Sequence, residues 1–260
     1  MKIAIAGIGK MGAWFAVRLS ESHEISVFDT DEQRISNITE NGSVIKVCGS
    51  LKELAESEPD MFINAVSLQN TIPVFEEAAK FLPGHCILCD IASVKGDLPE
   101  YYDRAKFRFV SVHPMFGPTF ANLEALKEEN AILVKESDPD GLEFFRKFFT
   151  ELNLTIFEYT FDEHDDMMAY SLSLPFISTM VFTACMKDTA VPGSTFAKHR
   201  KIAGGLLSED DRLLSEILFN RFTIRQLEKV TSRLEFLKHI INGKDYEEAK
   251  RFYDRLRSNI

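Results

Sequence analysis

The sequence predicts an α/β protein: a doubly wound parallel sheet followed by an all-helical second domain. Three observations predict it. A short apolar run, Lys2 to Ala6, leads straight into Gly7-Ile8-Gly9-Lys10-Met11-Gly12, and helical sequence follows. Apolar runs then alternate with helical stretches up to about residue 160, the pattern of βαβ units in a parallel sheet. From Asp162 onward the period is helical and no strand signal returns. The expected domains are therefore residues 1–161 and 162–260, with the boundary near Phe161.

The glycine loop carries the first functional signal. A G-x-G-x-x-G between a strand and a helix is the Rossmann-type dinucleotide-binding fingerprint. Gly7 allows the tight turn, Gly9 lets the backbone approach a pyrophosphate, and Gly12 permits close helix–strand packing. Ile8, Lys10 and Met11 complete the loop, and the helix behind it offers free N–H groups to phosphates. A second strand, Glu24 to Phe28, is closed by Asp29, seventeen residues after Gly12. A carboxylate there accepts from ribose hydroxyls and repels a 2′-phosphate, so NAD is favoured over NADP. A turn or helix-capping aspartate is the other reading of Asp29, and Arg34 is close enough in sequence to swing toward a 2′-phosphate.

The alternation continues through Ser43–Val47, a helix over residues 50–57, the strand Met61–Val66 and a helix through Phe81. Ser67 to Asn70 follow the carboxyl end of that strand, which places Ser67 beside the nicotinamide ribose. Pro83-Gly84 breaks the helix, and His85–Asp90 is the next strand. Further on, Ala131–Val134 and Leu154–Tyr159 read as strands. Phe144, Phe145, Phe148 and Phe149 fit the core face of a helix and not a binding box.

Val110-Ser111-Val112-His113-Pro114-Met115-Phe116-Gly117-Pro118 is the second functional signal. A buried strand ends at a histidine and a rigid turn stops it at once. In open α/β sheets ligands bind beyond the carboxyl ends of the strands, so an imidazole there suits a catalytic base near neutral pH. Asp90-Ile91-Ala92-Ser93-Val94-Lys95 closes the neighbouring strand. Ser93 can orient the imidazole and donate to a substrate oxygen, and Lys95 adds positive charge for a carboxylate. Helix capping by Ser93 and a solvated Lys95 are the plainer alternatives.

Taken together, GIGKMG, DIASVK and HPMFGP resemble the prephenate/arogenate dehydrogenase family of tyrosine biosynthesis. The resemblance is sharpest over residues 1–120. It implies a catalytic His-Pro at His113, oxidative decarboxylation with NAD, and a helical second domain that forms the dimer. It also implies an arginine for the ring carboxylate of a dicarboxylate substrate. Thr195 to Ala203 hold the densest basic cluster in the chain, and Arg200, with Lys198 and Lys201 beside it, is the expected grip. The family's His-Asp segment is matched by His164-Asp165, read as a helix-capping or orienting pair. Phe176 stands after Leu174-Pro175 where a second histidine is usual.

Composition bounds the remaining choices. The 260 residues are 45% hydrophobic with a net charge of −10, as in a soluble globular protein and unlike a general nucleic-acid or anionic-membrane binder. Cys48, Cys86, Cys89 and Cys185 form no zinc set and read as buried free thiols of a reducing cytoplasm. No signal peptide or spanning segment is expected. The amphipathic helices after Glu209 need partners, so a homodimer is expected. A reductase of the 3-hydroxyacid or pyrroline-carboxylate type would keep the glycine loop and Asp29 without His113 and Ser93. A non-enzymatic NAD sensor would need the loop alone.

Overall fold

The strands sort their side chains to two faces, and that sorting fixes the architecture. The computed structural model describes residues 1–39, 45–117, 126, 129–187, 191 and 193–260. Ser43 and Val44 of the expected third strand and Pro118 of the histidine segment lie outside them. The chain divides into two compact units: Met1–Met168 with Glu209–Ile217, and Ala169–Ser208 with Leu218–Ile260. The first unit thus runs past Phe161 and recovers a later segment, where the sequence predicts a single break.

In the first unit the order is β1 (Lys2–Ala6), α1 (Lys10–Ser20), β2 (Glu24–Phe28), α2 (Glu32–Thr39), β3 (Ile45–Val47), α3 (Leu51–Glu56), β4 (Met61–Asn64) and α4 (Leu68–Ala78). Then come β5 (Ile87–Asp90), α5 (Leu98–Arg104), β6 (Arg108–Pro114), β7 (Asn130–Val134), α6 (Pro139–Glu151), β8 (Thr155–Tyr159) and α7 (Phe161–Met168). The sheet order is β3-β2-β1-β4-β5-β6-β7-β8. Its first six strands have the doubly wound dinucleotide-binding order, with β1 and β4 flanking the switch point.

Ile3 and Ile5 of β1 join one core layer with Trp14, Phe15 and Leu19 of α1 and Phe145 and Phe149 of α6. Ala4 and Ala6 face the other layer, with Leu54, Phe75, Tyr101 and Tyr102 of α3, α4 and α5. Strands buried on both faces read as continuous apolar runs, as β4 and β5 do. The phenylalanines of α6 pack on Phe15 and Trp14, as expected of a core face.

Two strands depart from the expected parallel sheet. β7 pairs antiparallel with β6, His113 opposite Ile132, and β8 runs parallel to β7. An antiparallel neighbour needs no crossover, whereas the β7–β8 pair is joined by the helix α6, as a parallel pair requires. Cys185 is exposed, unlike the three other thiols.

The second unit is helical. A π-helical turn (Ala169–Ser173) precedes α8 (Leu174–Ala184), and Pro175 at the start of α8 explains it: proline has no N–H to give the preceding turn. α9 (Ser194–Leu206) follows. After α10 (Asp211–Leu218), most of which belongs to the first unit, come α11 (Thr223–Gly243) and α12 (Tyr246–Arg257). α8 packs on both α9 and α11. The stretch Phe161–Ala184 is long and apolar enough to cross a bilayer by composition, contrary to the expectation of no such segment. Its apolar part follows an acidic start, Asp162-Glu163-His164-Asp165-Asp166.

Candidate active site at the carboxyl edge of the sheet

The carboxyl ends of β1, β4, β5 and β6 lie on one edge, because these strands run parallel. At β1 the glycine loop is shaped by two collisions that glycine avoids. Gly7 has φ +89°, and a Cβ on it would meet the Ala65 carbonyl carbon and Val66 Cγ1, both at 2.8 Å. A Cβ on Gly12 would fall 1.9 Å from the Gly7 carbonyl oxygen. Around Gly9 the space is open, and α1 begins there with no side-chain cap and no acidic residue in its first turn. Uncapped N–H groups behind an open glycine fit a pyrophosphate. Lys10 and Met11 form the first turn of α1.

Asp29 stands against this loop. Its Oδ2 accepts the Ile8 N–H at 2.6 Å, and its Oδ1 accepts the Asp31 N–H at 2.9 Å. The Ile8 amide is therefore used within the protein and not held open for a ligand. Arg34 lies 3.5 Å from Asp29 and 3.3 Å from Asp31, so its charge is drawn onto two carboxylates. Ser67 is half-buried at the N-cap of α4, and its Oγ accepts from Asn70 Nδ2 at 2.9 Å.

His113 is 4% exposed near the end of β6. Its Nδ1 lies 3.0 Å from Nε2 of His164, whose own Nδ1 is 2.9 Å from Asp165 Oδ1. Asp165 also accepts the Lys95 N–H at 2.8 Å on Oδ1 and the Gly96 N–H at 3.0 Å on Oδ2. Burial, the neighbouring His164 and the Lys95 charge hold His113 well below the ordinary histidine value. Burial likewise lowers His164 against the opposing pull of Asp165. Burial pushes the Asp165 carboxyl up, but its bonds to His164 and the two amides outweigh this and keep it ionised.

Lys95 corrects an expectation. It is fully buried, and its ammonium donates to Asp90 Oδ1 at 2.7 Å and to the Val112 carbonyl at 2.8 Å. The Tyr102 hydroxyl donates to the other Asp90 oxygen at 2.8 Å. The charge expected to meet a substrate carboxylate is neutralised inside the sheet edge. Ser93 is half-buried in the same turn and makes no hydrogen bond to another described residue; the contact that orients His113 comes from His164. Arg200 and Lys198 are exposed on α9 of the second unit.

Sequence reasoning singled out His113 and read His164-Asp165 as a pair that caps or orients its helix, with no contact to His113. The available signal was their adjacency: a histidine beside an aspartate is a pair whose proton position is set locally. The fold adds the third member.

The family described as prephenate dehydrogenase, nucleotide-binding domain, matches residues 15–157. A probable arogenate/prephenate dehydrogenase of Methanocaldococcus jannaschii is 23% identical over 260 residues, covering 94% of this chain. The chain spans 57% of that relative's length. Prephenate dehydrogenase from A. aeolicus, solved with hydroxyphenyl propionate and NAD+, superposes with a TM-score of 0.85 at 18% identity, covering 100% of this chain and 96% of that one. Synechocystis arogenate dehydrogenase gives a TM-score of 0.77 at 20% identity, covering 100% and 98%. At such identities the structural likeness establishes the fold.

Two substitutions test this geometry. Gly12→Ala forces its Cβ into the Gly7 carbonyl and is expected to weaken dinucleotide binding by about tenfold or more, read by titration of cofactor fluorescence. Lys95→Met leaves Asp90 buried without its cation and is expected to cost about 3–5 kcal/mol in urea unfolding.

Proposed function

Because the chain belongs to the prephenate dehydrogenase family, we propose that it catalyses the NAD-dependent oxidative decarboxylation of prephenate to 4-hydroxyphenylpyruvate. The observation that carries this reading is His113, a buried neutral imidazole on the same sheet edge as the glycine loop. Arogenate is the second reading, supported by the sequence similarity to a relative named for both substrates and by the fold shared with an arogenate dehydrogenase.

The glycine loop and the start of α1 would hold the pyrophosphate of NAD, and Asp29 would accept from the adenosine ribose. Asp29 and the pairing of Arg34 with two carboxylates support NAD over NADP. Bound NAD would supply the hydride acceptor for the ring carbon that bears the hydroxyl. His113 accepts the hydroxyl proton as that carbon becomes a carbonyl. When the ring carboxylate leaves as carbon dioxide, its electron pair makes the ring aromatic and His113 returns the proton to the phenolic oxygen. The chain needs little beyond positioning and a base of matched strength. Ser93, in the turn after β5, is proposed to donate to the substrate hydroxyl. Arg200, with Lys198 beside it, is proposed to grip carboxylate, Arg by a bidentate contact.

We further propose a cytoplasmic homodimer formed through the helical unit. Val181, Ile202, Ile224 and Ile241 of that unit are 45–69% exposed, which supports cover by a second copy. The apolar stretch ending at Ala184 is accounted for in the same way, with no nucleic-acid or lipid partner.

The test is NADH formation with NAD and either prephenate or arogenate. Turnover is expected with prephenate, and His113→Asn should lower kcat by about 10³-fold while NAD affinity stays within about twofold. Turnover with arogenate alone would move the assignment to that substrate. Absence of turnover with both, in protein that binds NAD, would overturn it.

A further inference from the structure

We propose that His164 and Asp165 are positioning residues that hold His113 in a single tautomer, with its proton on Nδ1 and its lone pair on Nε2. The inference deepens the reading of His113 as the base and rests on it for its kinetic consequence, though not for its structural one.

The argument is a proton count along three side chains. Asp165 receives N–H groups from Lys95 and Gly96 at 2.8 and 3.0 Å, one on each oxygen. Such a carboxylate is ionised and has no proton to give. The 2.9 Å contact to His164 Nδ1 therefore needs the proton on that nitrogen. A neutral imidazole carries one N–H, so Nε2 of His164 is an acceptor. Its 3.0 Å contact to His113 Nδ1 is a hydrogen bond only if His113 supplies the proton. His113 is left with Nε2 bare, the form a base must have.

The alternative is a cationic His164 donating from Nε2, which would place the His113 proton on Nε2 and abolish the base. The surroundings oppose it. His164 is wholly buried, and the charge of the Lys95 ammonium, itself paired with Asp90, disfavours a further proton on either imidazole; Asp165 and, more weakly, Asp90 favour the His164 cation, and burial outweighs them. The same loop anchors both ends of the chain of bonds: Lys95 holds Asp165 through its amide and the Val112 carbonyl, one residue before His113, through its ammonium.

Nitrogen NMR of protein carrying ¹⁵N-labelled histidine reads the tautomers directly, with His113→Asn and His164→Gln spectra assigning two of the six histidines. The expected result is protonated Nδ1 and bare Nε2 in both rings at neutral pH. A proton on Nε2 of His113, or a doubly protonated His164, would overturn the proposal. Kinetics give a second readout. His164→Gln can turn an amide oxygen toward His113 Nδ1 and should keep kcat within about tenfold, whereas His164→Phe should lose about 10³–10⁴-fold with the KM for NAD unchanged. Equal losses in the two variants would contradict the proposal. Protein with these tautomers that turned over neither prephenate nor arogenate would uphold this inference and overturn the substrate reading alone.

Discussion

The buried ion pair between Lys95 and Asp90 is the interaction on which the site depends. Both residues are fully buried at the carboxyl edge of the sheet. Separated charges in such a place would be strongly unfavourable, so the pair closes only if its remaining bonds are made. They are: Tyr102 donates to the second Asp90 oxygen, and the Lys95 ammonium also reaches the Val112 carbonyl. The end of β5, the turn after it, α5 and the end of β6 are thereby tied at one point. The same turn lends two backbone amides to Asp165, which brings α7 and its histidine to His113. Specificity of arrangement, more than net stability, is what such a pair contributes.

The other half of the site obeys a steric constraint. Gly12 lies so close to Gly7 that no side chain fits between them, and Gly7 in turn lies against the end of β4. That closeness brings the helix start to the sheet edge, where its N–H groups face outward beside Asp29. The dinucleotide end of the site is thus set by backbone contact and the base end by charge and hydrogen bonds. Both occur on one edge because the doubly wound order puts every parallel strand's carboxyl end there.

Much of this was legible in the sequence, for local reasons. The glycine loop, Asp29 and His113 each announce themselves within a few residues: a strand, then a residue of special chemistry, then a turn. The strand alternation predicted a parallel, doubly wound sheet, and the strand order came from the fold. What was not legible depends on contacts between distant residues. Lys95 read as a cation for a substrate carboxylate or else a solvated one, and nothing local reveals that Asp90 and Val112 turn it inward. His164 lies fifty-one residues from His113, and its role appears only when α7 returns to the end of β6. The antiparallel turn into β7 escaped detection because its strand is as apolar as a parallel one. The unit boundary moved for a similar reason: α7 is helical in period yet packs with the sheet.

The account stands or falls on His113 being a base that stays neutral below the ordinary histidine range, and the pH profile of kcat/KM tests this most directly. Burial, His164 and Lys95 all disfavour its cation, so the proton is bound only at a pH below 6.5, and activity should hold down to that range before falling as His113 takes it up. An acid limb centred below pH 6.5 is the predicted result. A limb centred at or above 6.5, as for an exposed imidazole or one stabilised as a cation, would contradict the buried neutral relay.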